Sequence, residues 1–558
     1  MSRPKEIRFN AFNMASPGHT WAGLWSHPRD TAADYNTIDY WVKQAQTAER
    51  GLFDGIFIAD VFGVYDVYAG TPDAALLSAA QTPDIDPTLV VPSMAQATKH
   101  IGFGVTANLT YEHPYQFARR FATLDHLTGG RVGWNVVTGY LDSGAKGMGH
   151  AGNRAHDARY EAAEDFLEAL YKLWEGSWED GAVRRDRAGR IFTDPAKVHR
   201  IRHDGPYYQV DGIQLAEPSP QRTPVLYQAG TSGRGRLFAA KHSEAIFLNG
   251  QTRPILAESV KAIRQAAVDF GRDAYDIRMF PGATVIVAPT RAEALDRLAD
   301  YAQYVHTAGQ LALLSGWTGV DLSTLDPEEA ISYVKSNAIQ STLENLTLRS
   351  KEPLKVKDLA TLSATGARAP FIVGSPGEVA DEIISWVEDT DVDGFNLNRL
   401  VSPETLEAFV DLVVPELQDR GVYKTAYAEG TLREKLFPGR GATLPGSHPA
   451  AAFRRPAPAA AAPRVVGAAP LAVSAWTGRR AARGPAPLRR AHVCRWFRRP
   501  LRPDCVRRSR RRGPRPAGSP LWRRGGACRR PPQRHHRPHP RPPDGARLRQ
   551  PAAAGGVA

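Results

Sequence analysis

Short β-rich runs alternate with amphipathic helical stretches over the first 440 residues of this 558-residue chain, and few folds accept that pattern. The eight runs are Glu6–Phe12, Gly55–Asp60, Ile101–Asn108, Arg131–Thr138, Pro224–Ala229, Ala245–Leu248, Met279–Val287 and Gly394–Asn398. Strands that alternate with helices form a parallel sheet, and eight such units close into a barrel. We therefore predict an α/β fold, a (β/α)8 TIM barrel with long insertions, whose function lies at the carboxyl ends of the strands.

The predicted helices between these strands are Thr37–Arg50, Thr88–Lys99, Tyr115–Leu127, Tyr160–Trp174, Arg253–Phe270 and Pro403–Leu417. Two long segments interrupt the alternation. Glu175–Ala216 is rich in turn residues and aromatics, and Gln303–Pro370 contains helical segments without a convincing barrel strand. Connections of this length in a compact domain are commonly lids or binding elements, so we expect both to cover the mouth of the barrel.

The charge of the chain changes abruptly at Gly441. The segment 441–558 contains 27 arginines, no lysine and two acidic residues, which leaves the first 440 residues with a net charge of −12 although the whole chain carries +13. The segment is rich in Arg, Pro and Ala and has no helical or strand periodicity, so we predict that it is disordered. The predicted organisation is an enzyme-like domain at 1–440 and a basic tail at 441–558.

Two interpretations of the tail stay open. It is an arginine-rich arm that binds polyanions such as nucleic acid, or, as we favour, an extension without function of the kind that out-of-frame translation produces. All three cysteines, Cys494, Cys505 and Cys528, lie in the tail, which excludes a disulfide framework or a cysteine-ligated zinc site in the domain. The sequence shows neither a signal peptide nor the roughly 18–20 apolar residues of a membrane span. We expect a soluble, cytoplasmic protein that does not associate with membranes.

Polar residues end several of the predicted strands, as a site at the mouth of a barrel requires. Asp60 ends the second strand, Thr106 and its neighbours end the third, and Asn135 and Thr138 lie in the last part of the fourth. A single polar residue after an apolar strand is commonly a helix cap. Several such residues on converging strands favour a shared pocket.

A glycine-rich turn, Gly230–Gly235, follows the fifth predicted strand and opens a helix. Free backbone N–H groups at such a position favour an anion such as phosphate. His156 and Tyr160 are four residues apart and project from one face of another helix near its N-terminus. Together with Ser232 they form a candidate site for one phosphoryl group. The alternative is a surface histidine and a packed tyrosine.

The loop Asn13–Pro28 after the first strand contains Trp21, Trp25, His19 and His27. These residues line a binding site with aromatic rings and polar ring nitrogens, or they anchor a structural loop. Familiar catalytic templates are absent: G-x-S-x-G, H-E-x-x-H and G-x-x-x-x-G-K-[ST] do not occur. Their absence argues against a hydrolase, a zinc protease and a P-loop enzyme, and no metal site is predicted.

The chain also carries a family resemblance over about residues 5–437. The runs that carry it occur in this order: GHTWAGLWSHPRD, ERGLFDGIFIAD, HPYQFARRFATLDHLTGGRVGWNVVTG, HDARYEAAEDFLEALYKLWEGSW, FTDPAKVH and QRTPVLYQAGTSGRGRLFAAKH. They resemble the nitrilotriacetate monooxygenase, pristinamycin synthase and dibenzothiophene-sulfone monooxygenase group of bacterial-luciferase-like flavoenzymes. FIADVFGVYDVYAG and VTANLTYEHPYQFARR resemble most the members that act on dimethyl sulfide. The tail has no counterpart in this family.

The resemblance implies a two-component system. A separate NAD(P)H:FMN reductase supplies reduced FMN (FMNH2), which the monooxygenase reacts with O2 through a flavin C4a-peroxide. One oxygen then enters a small organosulfur compound, such as dimethyl sulfide or a similar sulfide or sulfone, and the other leaves as water. Aminopolycarboxylates or other xenobiotics are the alternative substrates, and a deazaflavin-dependent dehydrogenase is the alternative enzyme on the same barrel. A homo-oligomer, a dimer or a tetramer, is expected.

The family's site residues carry over onto matching positions of this sequence. The FMN contacts that the resemblance implies are Asp60, Thr106, His156, Tyr160 and Ser232, the last in the turn that begins at Gly230. Asn135 and Thr138 match the family's fourth strand and are expected near the flavin ring. His19 lies where a pocket residue is expected, and a catalytic role for it is an extrapolation. No strand is followed by the G-x-G-x-x-G fingerprint of a nicotinamide site, which agrees with a separate reductase.

Overall fold

The structure, a computed structural model, describes residues 5–230, 232–250, 252–329, 338–339, 355–359 and 370–455. Its strands are β1 (Arg8–Met14), β2 (Gly55–Ala59), β3 (Gly102–Asn108), β4 (Val132–Val137), β5 (Val183–Asp186), β6 (Ile191–Thr193), β7 (Ile201–Asp204), β8 (Gln209–Gly212), β9 (Val225–Gln228), β10 (Ala245–Leu248), β11 (Arg278–Val287), β12 (Phe371–Gly374) and β13 (Gly394–Asn398). Its helices are α1 (Ile38–Arg50), α2 (Asp73–Ser78), α3 (Val91–Gln96), α4 (Pro114–Thr128), α5 (Asp142–Gly147), α6 (His156–Gly176), α7 (Gly233–His242), α8 (Arg253–Asp269), α9 (Arg291–Ala302), α10 (Thr307–Thr318), α11 (Pro376–Thr390), α12 (Glu404–Ala408), α13 (Val414–Asp419) and α14 (Leu432–Leu436).

Eight parallel strands close a barrel in the order β1-β2-β3-β4-β9-β10-β11-β13, and β13 pairs back to β1. The predicted TIM barrel is confirmed, and each predicted strand overlaps one strand of the barrel. β11 is ten residues long, and its last four residues pair with β12, which lies outside the barrel. β12 was not predicted from the sequence.

Two predicted helices are shorter or less regular than expected, and prolines explain both. The predicted helix Thr88–Lys99 begins instead as a 3-10 turn, and regular α3 starts only at Val91. The predicted helix Pro403–Leu417 divides into α12, a π-helical segment at Phe409–Val413 and α13. Pro415 lies in the first turn of α13 and has no N–H for the carbonyl four residues earlier, so the regular ladder of hydrogen bonds cannot continue through it.

Aromatic side chains fill the barrel interior below its carboxyl-terminal end. Phe57 projects inward from β2 and Tyr227 from β9, and glycines of β3 and β4 face them. A methyl group on Gly104 would lie 2.9 Å from the Phe57 ring, and one on Gly133 would lie 2.4 Å from the Tyr227 ring. The rings fit only because these positions lack side chains. Helix α14 packs its apolar residues against the same cluster and closes the opposite end of the barrel.

The insertion 175–216 forms two antiparallel hairpins, β5-β6 and β7-β8. Asp165 on α6 accepts hydrogen bonds from the backbone N–H groups of Tyr207 (2.9 Å) and Tyr208 (2.8 Å). His203 of the same hairpin lies 3.0 Å from this carboxylate. These contacts hold the segment along α6. The expectation that it covers the barrel mouth is wrong, because none of its described residues lines the cavity there.

The second insertion, Gln303–Pro370, reaches the mouth where it is described. Trp317 of α10 and Ile339 both line the cavity at the carboxyl ends of the strands. The expected cover is therefore confirmed for these residues. Residues 330–337, 340–354 and 360–369 of the insertion lie outside the described part of the chain.

The packed domain continues beyond Gly441 to the last described residue, Arg455. His448 is buried, and its Nε2 lies 2.8 Å from the backbone oxygen of His242 at the end of α7. The Arg454 guanidinium lies 2.6 Å from Glu175, whose side chain is fully buried at the end of α6. The predicted boundary at Gly441 thus falls inside the packed region. Residues 456–558 of the predicted tail, with its three cysteines, lie outside the described residues.

None of the described helices is long and apolar enough to cross a membrane.

We expect a protein of residues 1–455 to match the full chain in stability and a protein of residues 1–440 to fall below it. The shorter protein loses Arg454 and leaves the buried Glu175 carboxylate without its cation, at a cost of about 3 kcal/mol. Thermal denaturation of the three proteins measures the difference. Arg454→Ala in the 1–455 protein is the matched control and should reproduce much of the loss. Equal melting temperatures for all three proteins would contradict the role of residues 441–455.

Candidate active site

Two adjoining cavities open at the carboxyl ends of the barrel strands. The outer cavity, of about 180 Å³, lies between β4, the start of α6 and the turn before α7. The inner cavity, of about 170 Å³, lies over the centre of the barrel. The two share several wall residues, among them Asp60, Tyr140, Phe247 and Asn249. They form one continuous site with two chemically different ends.

The structure brings to these two cavities all nine residues that the family resemblance implies for the site. Those of the outer cavity are Thr138, His156, Tyr160, Gly230 and Ser232. Those of the inner cavity are His19, Thr106 and Asn135, and Asp60 lines both. Residues far apart in sequence meet because each follows or ends a strand of the same closed barrel.

The outer cavity has the features of an anion site. Helix α6 begins at His156, and α7 begins directly after Ser232, which caps it by accepting a hydrogen bond from the N–H of Gly235 (3.2 Å). The Nε2 atom of His156 lies 3.3 Å from Ser232 Oγ. Two helix N-termini therefore offer free N–H groups and positive dipole ends at one place. We call His156, Tyr160, Gly230 and Ser232 the phosphate cradle.

Glycine is required at two positions of this cradle. A methyl group on Gly230 would lie 2.5 Å from the Tyr160 hydroxyl, and one on Gly235 would lie 2.7 Å from it. Tyr160 is buried, and burial raises the pKa of its hydroxyl, so the group stays protonated. Gly233, in contrast, has no atom within 4 Å of an added methyl group. The cradle is a space shaped for a small anion with hydroxyl and N–H donors around it, and a phosphate group fits it.

Sequence reasoning missed Arg159, which also lines the outer cavity. Its guanidinium donates a hydrogen bond to the backbone oxygen of Gly139, and burial lowers its pKa. Among the described residues that line the outer cavity it is the one basic side chain other than histidine. Its spacing of three residues from His156 would have placed it on the same face of the helix, which is the signal that could have found it.

The inner cavity is mainly apolar. Aromatic and aliphatic side chains form much of its wall, namely Phe12, Met14, Phe57, Phe247, Trp317 and Ile339. Asn135 donates to Thr106 Oγ1 (2.9 Å), and its own side-chain oxygen is buried without a partner among the described atoms. The described wall contains neither lysine nor arginine. The cavity therefore suits an uncharged ligand beside a few polar groups that fix orientation.

The N-terminal loop combines both roles that its sequence left open. His19 is 3% exposed, lines the inner cavity and packs edge-on against Phe12 with ring centroids 4.5 Å apart. Trp21 is buried in a separate apolar cluster beside β11, and His27 lies 3.0 Å from the Asp300 carboxylate. One histidine thus reaches the cavity while a tryptophan and the other histidine anchor the loop.

Among the described residues that line the two cavities, Asp60 is the one with a carboxyl side chain. Burial, first, and the negative charge of Asp84, second, raise its pKa well above the usual value. A neutral carboxyl group can donate a hydrogen bond, whereas a carboxylate can only accept one. Asp60 and Asp84 hydrogen-bond to each other, so this pair of carboxyl groups favours holding a proton between them.

Comparison with known proteins gives a consistent result. The family model of luciferase-like monooxygenases matches residues 17–393. The chain is 46% identical over 458 residues to the dimethyl-sulfide monooxygenase of Hyphomicrobium sulfonivorans, which covers 81% of this chain and 94% of that protein. It is also 46% identical over 450 residues to the long-chain alkane monooxygenase of Geobacillus thermodenitrificans, covering 81% of this chain and 98% of the relative.

Two further relatives bear on the cofactor and the partner. A crystal structure of riboflavin lyase with modified FMN and riboflavin superposes with a TM-score of 0.77 at 38% identity and covers 81% of this chain and all of that one. Component A of nitrilotriacetate monooxygenase from Aminobacter aminovorans is 34% identical over 423 residues, covering 74% of this chain and 93% of that protein. These similarities span the described barrel.

Substitutions in the cradle should weaken FMN far more than riboflavin. Tyr160→Phe removes a hydroxyl group of the cradle, and the methyl group of Gly230→Ala displaces that hydroxyl and the Gln228 amide, so each should cost about 1.5–3 kcal/mol, or roughly tenfold to a hundredfold in Kd. Riboflavin lacks the phosphate and should lose little. Fluorescence titration with both flavins measures the effect. Gly233→Ala is the matched control, because its methyl group meets open space. Equal weakening of both flavins would place the cradle elsewhere.

Asp60→Asn should stabilise the protein at alkaline pH. Because the folded state raises the pKa of Asp60, ionisation costs stability as the pH rises from the unfolded value, about 3.9, through the folded one. The variant avoids that cost, and its advantage should disappear below about pH 4. Thermal denaturation from pH 4 to 9 tests this.

Asp54→Asn provides the contrast of opposite sign. Burial opposes ionisation of Asp54, but Lys424 and Arg8 prevail and lower its pKa. This variant should therefore be destabilised at neutral pH, with the difference shrinking as the pH falls. An Asp60→Asn protein less stable than the parent at pH 8 would contradict a neutral Asp60.

Proposed function

The chain belongs to the luciferase-like monooxygenases, a family of flavin-dependent oxidoreductases, and from that premise we propose that it uses reduced FMN and O2 to oxygenate a small, uncharged organosulfur compound such as dimethyl sulfide. The proposal rests on one observation: an outer cavity with the features of an anion site adjoins an apolar inner cavity. A phosphorylated flavin and an apolar substrate need these two surroundings side by side.

The residues present fit FMN. The phosphate cradle supplies donors for the phosphate, with Arg159 as a nearby cation. Asp60, Thr106, Asn135 and Thr138 are left to orient the flavin ring, and the unpartnered side-chain oxygen of Asn135 is an acceptor for a ring N–H group. When bound, reduced FMN supplies two electrons with which O2 is divided between the substrate and water.

The protein's own part is to bind, orient and exclude water. Apolar side chains of the inner cavity keep bulk water from the reacting groups, which prevents loss of oxidising equivalents to solvent. Asp60, whose carboxyl group hydrogen-bonds to Asp84, would help to orient the flavin ring, and Thr106 is fixed by the amide of Asn135. His19 lies across the inner cavity as a group that can hold or pass a proton near the substrate.

The lining of the inner cavity favours an uncharged substrate over the aminopolycarboxylates. A tricarboxylate needs several cations to replace its hydration, and the described wall of the inner cavity provides none. Sulfides, in contrast, gain by burial against aromatic rings and need no counter-charge.

An alkane is the second candidate substrate. The similarity to the long-chain alkane monooxygenase, at 46% identity, equals that to the dimethyl-sulfide enzyme, and an apolar wall suits a hydrocarbon as well. With reduced FMN supplied by a flavin reductase, formation of an oxygenated product from dimethyl sulfide, n-alkanes or nitrilotriacetate separates the candidates, because reduced FMN consumes O2 even without a substrate. We expect product from the sulfide. Product from nitrilotriacetate alone would overturn the proposed substrate class.

A separate NAD(P)H:FMN reductase is the proposed partner. Component A in the name of the nitrilotriacetate relative indicates a multi-component enzyme. The chain shows no G-x-G-x-x-G fingerprint after a strand, so its electrons must come from elsewhere. We also propose a homo-oligomer, a dimer or a tetramer.

The purified chain with FMN, NADH and dimethyl sulfide should form no product, because the proposed source of reduced FMN, the reductase, is missing. Addition of a flavin reductase, even an unrelated one, should restore turnover by releasing reduced FMN into solution. Product analysis by gas chromatography with NADH consumption as the parallel readout measures this. Coupled NADH oxidation and product formation by the chain alone would refute the two-component assignment.

A further inference from the structure

The inner cavity ends on an aromatic floor made of Phe12 and Phe247. Their ring centroids are 5.0 Å apart, a contact distance for aromatic side chains. Both rings are half-buried and line the cavity, whereas Phe57, which also lines it, is buried and lies 5.5 Å from Phe12 and 6.3 Å from Phe247. The three rings pack against one another at this end of the cavity.

The barrel below this floor has no room for a ligand. Tyr227 packs edge-on against Phe57, with centroids 5.5 Å apart. The close approach of Phe57 to Gly104 and of Tyr227 to Gly133 shows that even a methyl group has no space in this layer. A molecule in the inner cavity therefore cannot extend towards the amino-terminal end of the barrel.

Space does exist behind Phe12. A third cavity, of only about 30 Å³, lies between β1, β13 and α12, and Phe12 and Asn398 line both it and the inner cavity. Phe12 is thus a partition between the inner cavity and a small void. In the other direction the inner cavity joins the outer cavity, whose rim includes the exposed Phe62.

We propose that Phe12 and Phe247 determine substrate specificity by limiting the arm of the substrate that points into the barrel. The inference rests on the proposed function. A dialkyl sulfide then places one short arm against the floor and directs the other towards the mouth. The floor accepts a methyl group, so methyl alkyl sulfides are substrates, whereas symmetrical sulfides with two longer arms are rejected.

The test compares dimethyl, methyl propyl and dipropyl sulfide with the full chain, FMN and an unrelated flavin reductase. The parent should use the first two and should have a kcat/KM for dipropyl sulfide at least tenfold below that for methyl propyl sulfide, since one methylene group against a closed wall changes rates about tenfold or more. Phe12→Leu should raise the ratio of dipropyl to methyl propyl sulfide about tenfold, and Phe247→Leu should raise it as well.

Phe280→Leu is the matched control. Phe280 is a buried phenylalanine of the same barrel interior that lines neither the inner nor the outer cavity, so its substitution should lower stability and leave the ratio unchanged. A ratio unaltered in both floor variants, or raised equally by Phe280→Leu, would overturn the role of the floor.

Binding without turnover separates this inference from the proposed function. The same sulfides are titrated into the chain loaded with oxidised FMN, and flavin fluorescence reports binding. Tighter binding of dipropyl sulfide to Phe12→Leu than to the parent supports the floor even if no sulfide is oxygenated, in which case the proposed function fails alone. Equal binding of dipropyl sulfide by the parent and both floor variants would overturn the floor.

Discussion

Closure of eight parallel strands forces all of their carboxyl ends onto one rim, and the filled interior leaves that rim as the place where a ligand can enter the barrel. Aromatic side chains around Phe57 and Tyr227 fill the barrel down to α14, so a ligand cannot enter from the opposite end. Polar residues scattered over 200 positions of sequence consequently meet in one site. The chemistry of the protein follows from which side chains stand at that rim.

Two kinds of surroundings at the rim separate binding from chemistry. The outer cavity offers helix N-termini, the Tyr160 hydroxyl and Arg159 to a negatively charged group. In the inner cavity, aromatic side chains exclude water, and burial together with the charge of Asp84 raises the pKa of Asp60. A phosphate group bound in the outer cavity would anchor a cofactor without bringing a charge into the apolar region, where a charge would cost several kcal/mol.

The sequence predicted the barrel because strand and helix periodicities are local signals, and all eight strands were found at nearly their true bounds. The position of the site was also predictable, because the candidate residues lie at strand ends, at helix starts or in the loops that follow the strands. Their roles towards FMN stay predictions. Prediction from the sequence failed where long-range contacts decide. Asp165 accepts hydrogen bonds from the β7-β8 hairpin and so holds it along α6. Glu175 forms an ion pair with Arg454, which lies beyond the predicted boundary at Gly441. No local pattern reports such pairs, and Arg159 was overlooked because arginines on helices are usually solvent-exposed.

A crystal structure of the chain soaked with FMN would test the central claim most directly, because it locates the phosphate and the ring independently of any activity. The account predicts phosphate density between Ser232, Tyr160 and the N-terminus of α7, with the ring extending past Asp60 and Asn135 into the inner cavity. Ordered FMN with its phosphate at any other place, or with its ring outside the inner cavity, would contradict the division of the site into an anion-binding end and an apolar reacting end.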